Sequence, residues 1–325
     1  MKWFLSSITL LACGCTPLLE DGSSTVSDGR ALCISTTGMI GNLVELVGKD
    51  TIRPVTLMGP GVDPHLFKPT RDDVVILRRA KALFYNGIHL EGRMGAVFDH
   101  LPASQAKLVV GEWVWDHRRK EDSLNDVTTS PVKHDHPDDP HIWMDVLLWS
   151  EAPLAIANTL AAIHPDGKSE FINRAEELRA RLQALNSYGM KLIDTIPAKQ
   201  RILITSHDAF QYFGNRYSIE VRGVQGISTE SEAGLATISE LVQMIVDRDI
   251  PTIFVESSVS SNTMRALVEG CGARGRTIQL GGPLFSDALG YSGTYEGTYI
   301  GMMDHNFRTI AQGLGGTVPE QRFEP

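Results

Sequence analysis

The chain has 325 residues, with 30 Lys+Arg against 39 Asp+Glu for a net charge of −9, and 42% apolar residues. At roughly 150 residues per domain this suggests two domains, too acidic for a nucleic-acid footprint and too apolar for a disordered chain. Four cysteines exclude a disulfide-dense scaffold, and no apolar run reaches the ~20 residues needed to span a bilayer.

Met1-Lys2, a mostly apolar run from Trp3 to Ala12, and Cys13-Gly14-Cys15 describe a secretory signal. Its end, Leu10-Leu11-Ala12-Cys13, resembles a bacterial lipoprotein signal, in which the cysteine is lipidated after cleavage; Cys15 fits that pattern less well. A buried core helix is the competing reading, and the run is short for one. Residues 16–30 are polar and Gly/Ser-rich, a flexible tether. The protein is expected to be exported and anchored. Cys33 and Cys271 fall in different lobes, so two free buried thiols are expected rather than a disulfide.

Beyond the tether, short apolar runs alternate with helical patterns. Strands are expected at Ala31-Ile34, Ile52-Leu57, Ala82-Tyr85 and Lys107-Val110, with helices at Met39-Val47 and Asp72-Ala80. Trp113 to Asp139 reads as a long loop of charge, Ser/Thr and His, and helical periodicity returns from Leu147 to Ile163. From Ser169 to Ile196, Phe171, Ala175, Leu178, Leu182, Leu185 and Leu192 recur at near-heptad spacing with no proline until Pro197. A helix of about 27 residues would be roughly 40 Å long, a strut between domains rather than a coiled-coil arm. Strands then return at Ile202-Thr205, Ile219-Val224, Thr252-Val255 and Thr277-Leu280. Helices are expected at Phe210-Tyr217, Ile238-Val246, Thr263-Glu269 and Tyr295-Leu314. The expected fold is α/β: two lobes, each a mainly parallel sheet flanked by helices, joined by one long rigid helix. The boundaries are 1–15 signal, 16–30 tether, 31–167 N-terminal lobe, 168–196 linker helix and 197–325 C-terminal lobe.

Three histidines share a setting beside Pro, Asp or Ser at the start of a new element: His65 in Asp63-Pro64-His65, His141 in Asp139-Pro140-His141, and His207 in Ser206-His207-Asp208. Asp287, after Gly281-Gly282-Pro283-Leu284-Phe285-Ser286, is the fourth candidate. Ligands of α/β sheets gather at the carboxyl ends of strands, so the four loops could converge on a cleft between lobes, two from each. Three imidazoles and a carboxylate suit zinc, manganese or ferrous iron, and four protein ligands nearly fill the shell, unlike a catalytic zinc. Unrelated loop histidines that cap helices remain the alternative.

The motifs Leu57-Met58-Gly59-Pro60-Gly61-Val62-Asp63-Pro64-His65, Tyr85-Asn86-Gly87…Leu90-Glu91-Gly92, Asp139-Pro140-His141-Ile142-Trp143-Met144-Asp145, Thr205-Ser206-His207-Asp208-Ala209-Phe210 and Val255-Glu256-Ser257-Ser258 occur in order. Together they resemble the metal-binding solute-binding lipoproteins of manganese, zinc and iron ABC importers (the cluster-9, or A-I, family), closest to the treponemal and chlamydial branch. The resemblance runs from about Ala31 to the C-terminus. It implies two α/β lobes on one long helix, one divalent metal ion as cargo, and His65, His141, His207 and Asp287 as its ligands. His207 leans toward the family's zinc-like set, whereas the long His-rich loop of its zinc proteins is here reduced to His134-Asp135-His136. His134 and His136 could recruit metal loosely, or be ordinary loop histidines. Asp145 and Glu256 are candidate acceptors behind the ligating imidazoles, and Trp143, Phe210 and Phe285 would form an apolar shell around them.

The expected function is capture of a divalent transition-metal ion outside the cytoplasmic membrane and its delivery to a cognate ABC permease and ATPase. The protein would act as a monomer held to the membrane by lipid on Cys13, with no enzymatic activity. A secreted metal-dependent hydrolase and a surface adhesin are the alternatives. Histidine's unperturbed pKa of about 6.5 sets the expectation that metal affinity falls as pH drops through that region.

Overall fold

The computed structural model describes residues 29–124 and 138–324; Cys13, His134 and His136 lie outside them. Eight strands form two sheets. β1 (Ala31–Ser35), β2 (Ile52–Thr56), β3 (Ala82–Tyr85) and β4 (Ala106–Val109) build the first in the order β2-β1-β3-β4; β5 (Ile202–Thr205), β6 (Glu220–Gly223), β7 (Thr252–Glu256) and β8 (Gln279–Leu284) build the second in the order β6-β5-β7-β8. Every pairing is parallel. The same topology is thus used twice without an internal repeat in the sequence. Leu32, Cys33 and Ile34 are consecutive and buried because β1 is covered on both faces. Pro54, which has no N–H for a ladder, sits on the edge strand β2.

The helices are α1 (Gly38–Gly48), α2 (Arg71–Arg79), α3 (Gly95–Asp99), α4 (Val110–Leu124), α5 (Val146–Trp149), α6 (Ala152–Ile163), α7 (Lys168–Ile193), α8 (Gln211–Tyr217), α9 (Leu235–Asp247), α10 (Asn262–Ala273) and α11 (Tyr299–Gly313). Two depart from the sequence reading. Residues 110–124, expected in part as loop, are helical; among residues 110–120 only Val110, Gly111 and Val114 are buried, too narrow a stripe to register as a period. Val146–Ile163 is apolar enough to cross a membrane, yet it divides into α5 and α6 and is mostly buried against α7 and α1.

The 26-residue α7 links the two lobes. Phe171, Ala175, Leu178, Leu182, Leu185, Gly189 and Leu192 are all buried, a stripe of alternating four- and three-residue steps along its whole length. It is therefore a packed core helix: α6, α1 and α5 lie along it, and so does α11. One apolar core runs continuously from Cys33, Ala82 and Phe84 of the first sheet, through α7, to Leu203, Phe254 and Phe307 of the second lobe. Separate smaller cores cover the outer faces, around Ile34 and Leu83 on one side and Ile204 and Ile253 on the other. Cys33 and Cys271 are free and buried, as expected; burial pushes the Cys33 thiol up to about 12.

Gly189 marks the closest approach of α7 to α11, since a β-carbon there would overlap the ring of Phe307. Helix propensity alone favours Gly→Ala by up to about 1 kcal/mol. Overpacking costs about 1–3 kcal/mol, so Gly189→Ala is expected to lower the midpoint of denaturant unfolding, and a raised midpoint would contradict this packing.

Candidate metal centre

Four segments carry the predicted ligands to one point. His65 lies in the loop between β2 and α2, His141 opens the turn before α5, His207 stands just past β5 and Asp287 just past β8. His207 lies where the strand order of its sheet reverses, between β5 and β7, the place where α/β sheets open a crevice.

The backbone at each histidine is tied by a carboxylate. Asp63 Oδ1 accepts the N–H of His65 at 2.9 Å and Asp139 Oδ1 that of His141 at 3.0 Å, closing the same Asx turn around a proline in two Asp-Pro-His tripeptides. Glu256 Oε1, at the end of β7, accepts the N–H of His207 at 2.8 Å, and Thr205 Oγ1 donates to the His207 carbonyl. Two rings are held as well. His141 Nδ1 donates to Asp139 Oδ1 at 2.7 Å, and His207 Nδ1 pairs with Glu256 Oε2 as an ion pair, out of line for a hydrogen bond. Both rings therefore turn Nε2 inward.

One ligand atom from each of His65, His141, His207 and Asp287 lies within 4.8 Å of all the others, and all four residues are buried. His141 Nε2 is 3.3 Å from His65 Nε2 and 3.4 Å from His207 Nε2. Two donors at about 2.0–2.1 Å from a tetrahedral metal are separated by about 3.3–3.4 Å, so these spacings fit an ion between the rings. Asp287 Oδ1 is 3.4 Å from His141 Nε2, while Oδ2 is 3.1 Å from His207 Nε2 and 3.9 Å from His65 Nε2. Neither carboxylate oxygen accepts an aligned hydrogen bond, which leaves both free for a cation.

Charge is distributed unevenly. Burial pushes the His65 imidazole down to about 4, against the pull of Asp287, so it is neutral at pH 7. Burial also disfavours charge on His141, but the hydrogen bond and charge of Asp139, then Asp287, bring it up to about 9. At His207 burial is likewise outweighed, by Glu256 and Asp287, and the group rises well above the usual range. Burial would raise Asp287, yet the charges on His207 and His141 beside it hold it well below the usual carboxylate range. These shifts favour a proton on His141 and on His207 and an ionised Asp287 when no metal is bound.

Glu256 stands against the His207 imidazole; Asp145 instead pairs with Arg216. Asp145 accepts from Arg216 at 2.8–2.9 Å and caps α5 through the N–H groups of Leu147 and Leu148. The carboxylate behind His141 is Asp139, which sequence reasoning missed; the signal was the second copy of Asp-Pro-His. Trp143 and Phe210 are fully buried and Phe285 partly so. The remaining described histidines take other roles, His100 bonding the Ala96 carbonyl and His117 stacking on Trp113, for example.

Comparison with known proteins gives one consistent result. The family described as "Zinc-uptake complex component A periplasmic" (ZnuA) matches residues 34–313. The chain is 41% identical to the zinc-binding protein TroA of Treponema pallidum over 288 residues, covering 89% of this chain and 90% of that protein. It is 37% identical to the manganese-binding lipoprotein MntA of Bacillus subtilis over 309 residues, covering 95% and 96%. The crystal structure of T. pallidum periplasmic zinc binding protein TroA superposes with a TM-score of 0.80 at 40% identity, over 88% of this chain and 99% of that one. Fe(III)-bound YtgA from Chlamydia trachomatis superposes at 0.76 and 25% identity, over 90% and 100%. The chain belongs to the ZnuA family of periplasmic metal-uptake components.

A metal ion entering this centre would displace Nε2 protons from His141 and His207. Affinity is therefore expected to fall as pH drops from about 9, the His141 value, and not only below the ~6.5 of an unperturbed histidine. With two protons released, the slope approaches about 100-fold per pH unit. Calorimetry at pH 7 in buffers of different ionisation enthalpy should count about two protons per ion; a count of zero would contradict the charge assignment.

Proposed function

We propose that this protein is the extracytoplasmic receptor of a metal importer, which captures one divalent ion with His65, His141, His207 and Asp287 and passes it to an ABC permease driven by its ATPase. The observation that carries this reading is the meeting of four buried donors from four distant segments within 4.8 Å. Family membership supports it, as do relatives named for zinc, manganese and Fe(III). Three borderline nitrogens and a carboxylate accept any of these metals. The buried, nearly filled ligand set is that of a carrier, whereas a hydrolase needs an open position with a base beside it. Residues 31–167 and 197–325 act as the two lobes about the linker helix. The protein works as a monomer, exported by residues 1–15 and anchored through lipid on Cys13, with His134 and His136 gathering ions ahead of the centre.

Metal analysis by mass spectrometry is expected to find an equimolar ion in protein lacking residues 1–15 and none in the His65→Ala, His207→Ala double variant. Metal-free wild type, even after reconstitution, would overturn the reading. Because a single core runs through α7, small-angle scattering of metal-free and metal-loaded protein should differ little, and a large closure on loading would show that the helix is a hinge.

A further inference from the structure

Asp287 is the one anionic ligand, and its side chain has two rotatable bonds and no aligned hydrogen bond. Apart from its charge pairing with His141 and His207, it is aimed by its backbone. That backbone is fastened peptide by peptide. Ser257 N–H donates to the Leu284 carbonyl at 2.9 Å; the Asn306 carboxamide accepts from Phe285 N–H at 2.9 Å and donates to the Phe285 carbonyl at 2.7 Å; Ser286 Oγ meets Ser258 Oγ at 3.1 Å. All these partners belong to the second lobe. The last carbonyl before the ligand, that of Ser286, is held instead from the first half of the chain, by Trp143 Nε1–H at 2.8 Å.

Trp143 is fully buried. Its own carbonyl accepts from Tyr299 Oη at 2.6 Å, and its ring meets that of His141 edge-on, with centroids 5.3 Å apart at 67°. One side chain thus touches one ligand through its ring and the peptide of another through its N–H. The Ser286 carbonyl and the Asp287 N–H belong to one planar unit, so holding that oxygen holds the start of Asp287.

We propose that Trp143 is a positioning residue of the metal centre: its indole N–H sets Asp287 against His141 across the two lobes. The proposal rests on the reading of Asp287 and His141 as ligands. It assigns the indole a role that plain packing does not need, because a phenylalanine fills most of the same space without a donor. The donor is also costly to lose, since a buried carbonyl is left unpaired.

The test is a double-mutant cycle on zinc affinity, read by competition with a chromophoric chelator. Trp143→Phe is expected to weaken zinc binding by about 10–100-fold, the usual effect of losing a group that orients a ligand. In an Asp287→Ala background, where no carboxylate remains to be aimed, the same change should cost less than about threefold; in His65→Ala, which Trp143 does not touch, the full loss should persist. An equal loss in all backgrounds, or no loss in wild type, would overturn the proposal. Failure of the wild type to bind zinc would instead overturn the metal-site reading, and it is visible before the cycle starts. Should Trp143→Phe not fold, as judged by its thermal transition, Tyr299→Phe frees the Trp143 carbonyl while keeping the indole. It goes through the same cycle, with the loss again expected only where Asp287 is present.

Discussion

Conservation of charge in a dry space governs this molecule. Three imidazoles and a carboxylate are buried together, and burying ions is costly unless their charges are balanced and their hydrogen bonds made. Asp139 and Glu256 favour a proton on each of two rings when no metal is bound. Replacing those two protons with one dication leaves the total charge of the centre unchanged. The surrounding carboxylates then face the same field loaded or empty, and need not rearrange when the cargo changes places with the protons.

A centre of this kind works only if its donors are already in place, and the fold supplies that at several levels. Each histidine has its backbone N–H captured by a carboxylate, two of them through an Asx turn stiffened by proline. Asp287 is placed by a backbone with no slack. The lobes that carry these loops share one core along α7, and a buried Asp145–Arg216 pair adds a polar contact between them. Close packing transmits position from one lobe to the other because interiors this dense yield little.

Much of this was legible in the sequence, for identifiable reasons. Strands covered on both faces read as unbroken apolar runs, and the heptad stripe of α7 is regular enough to announce a long helix. The three candidate histidines stood out because each sits beside Pro, Asp or Ser, and Asp287 joined them as a fourth candidate at the end of a glycine-rich run. What escaped depends on partners distant in the chain. Among residues 110–120 of α4 only Val110, Gly111 and Val114 are buried, so its periodicity drowned in charged neighbours. Asp145 carries the right chemistry for a ligand's partner, but nothing local reveals that Arg216, from another lobe, claims it first. The hydrogen bond from Trp143 to Ser286 joins residues 143 positions apart, and only the fold brings them together.

The shared core also fixes when the chain can finish folding. Asn42 on α1 accepts from the backbone of Tyr299 at the start of α11, 257 positions later, and Met302, Phe307 and Ile310 of α11 belong to the same cluster as Cys33 and Met39. Contacts this distant must wait for the loop between them to close. In a chain that emerges from a translocation channel N-terminus first, the parts of α1 and α7 that α11 covers stay exposed until nearly the last residues have crossed. The protein is thus born with a long interval of exposed apolar surface, the condition in which chains aggregate.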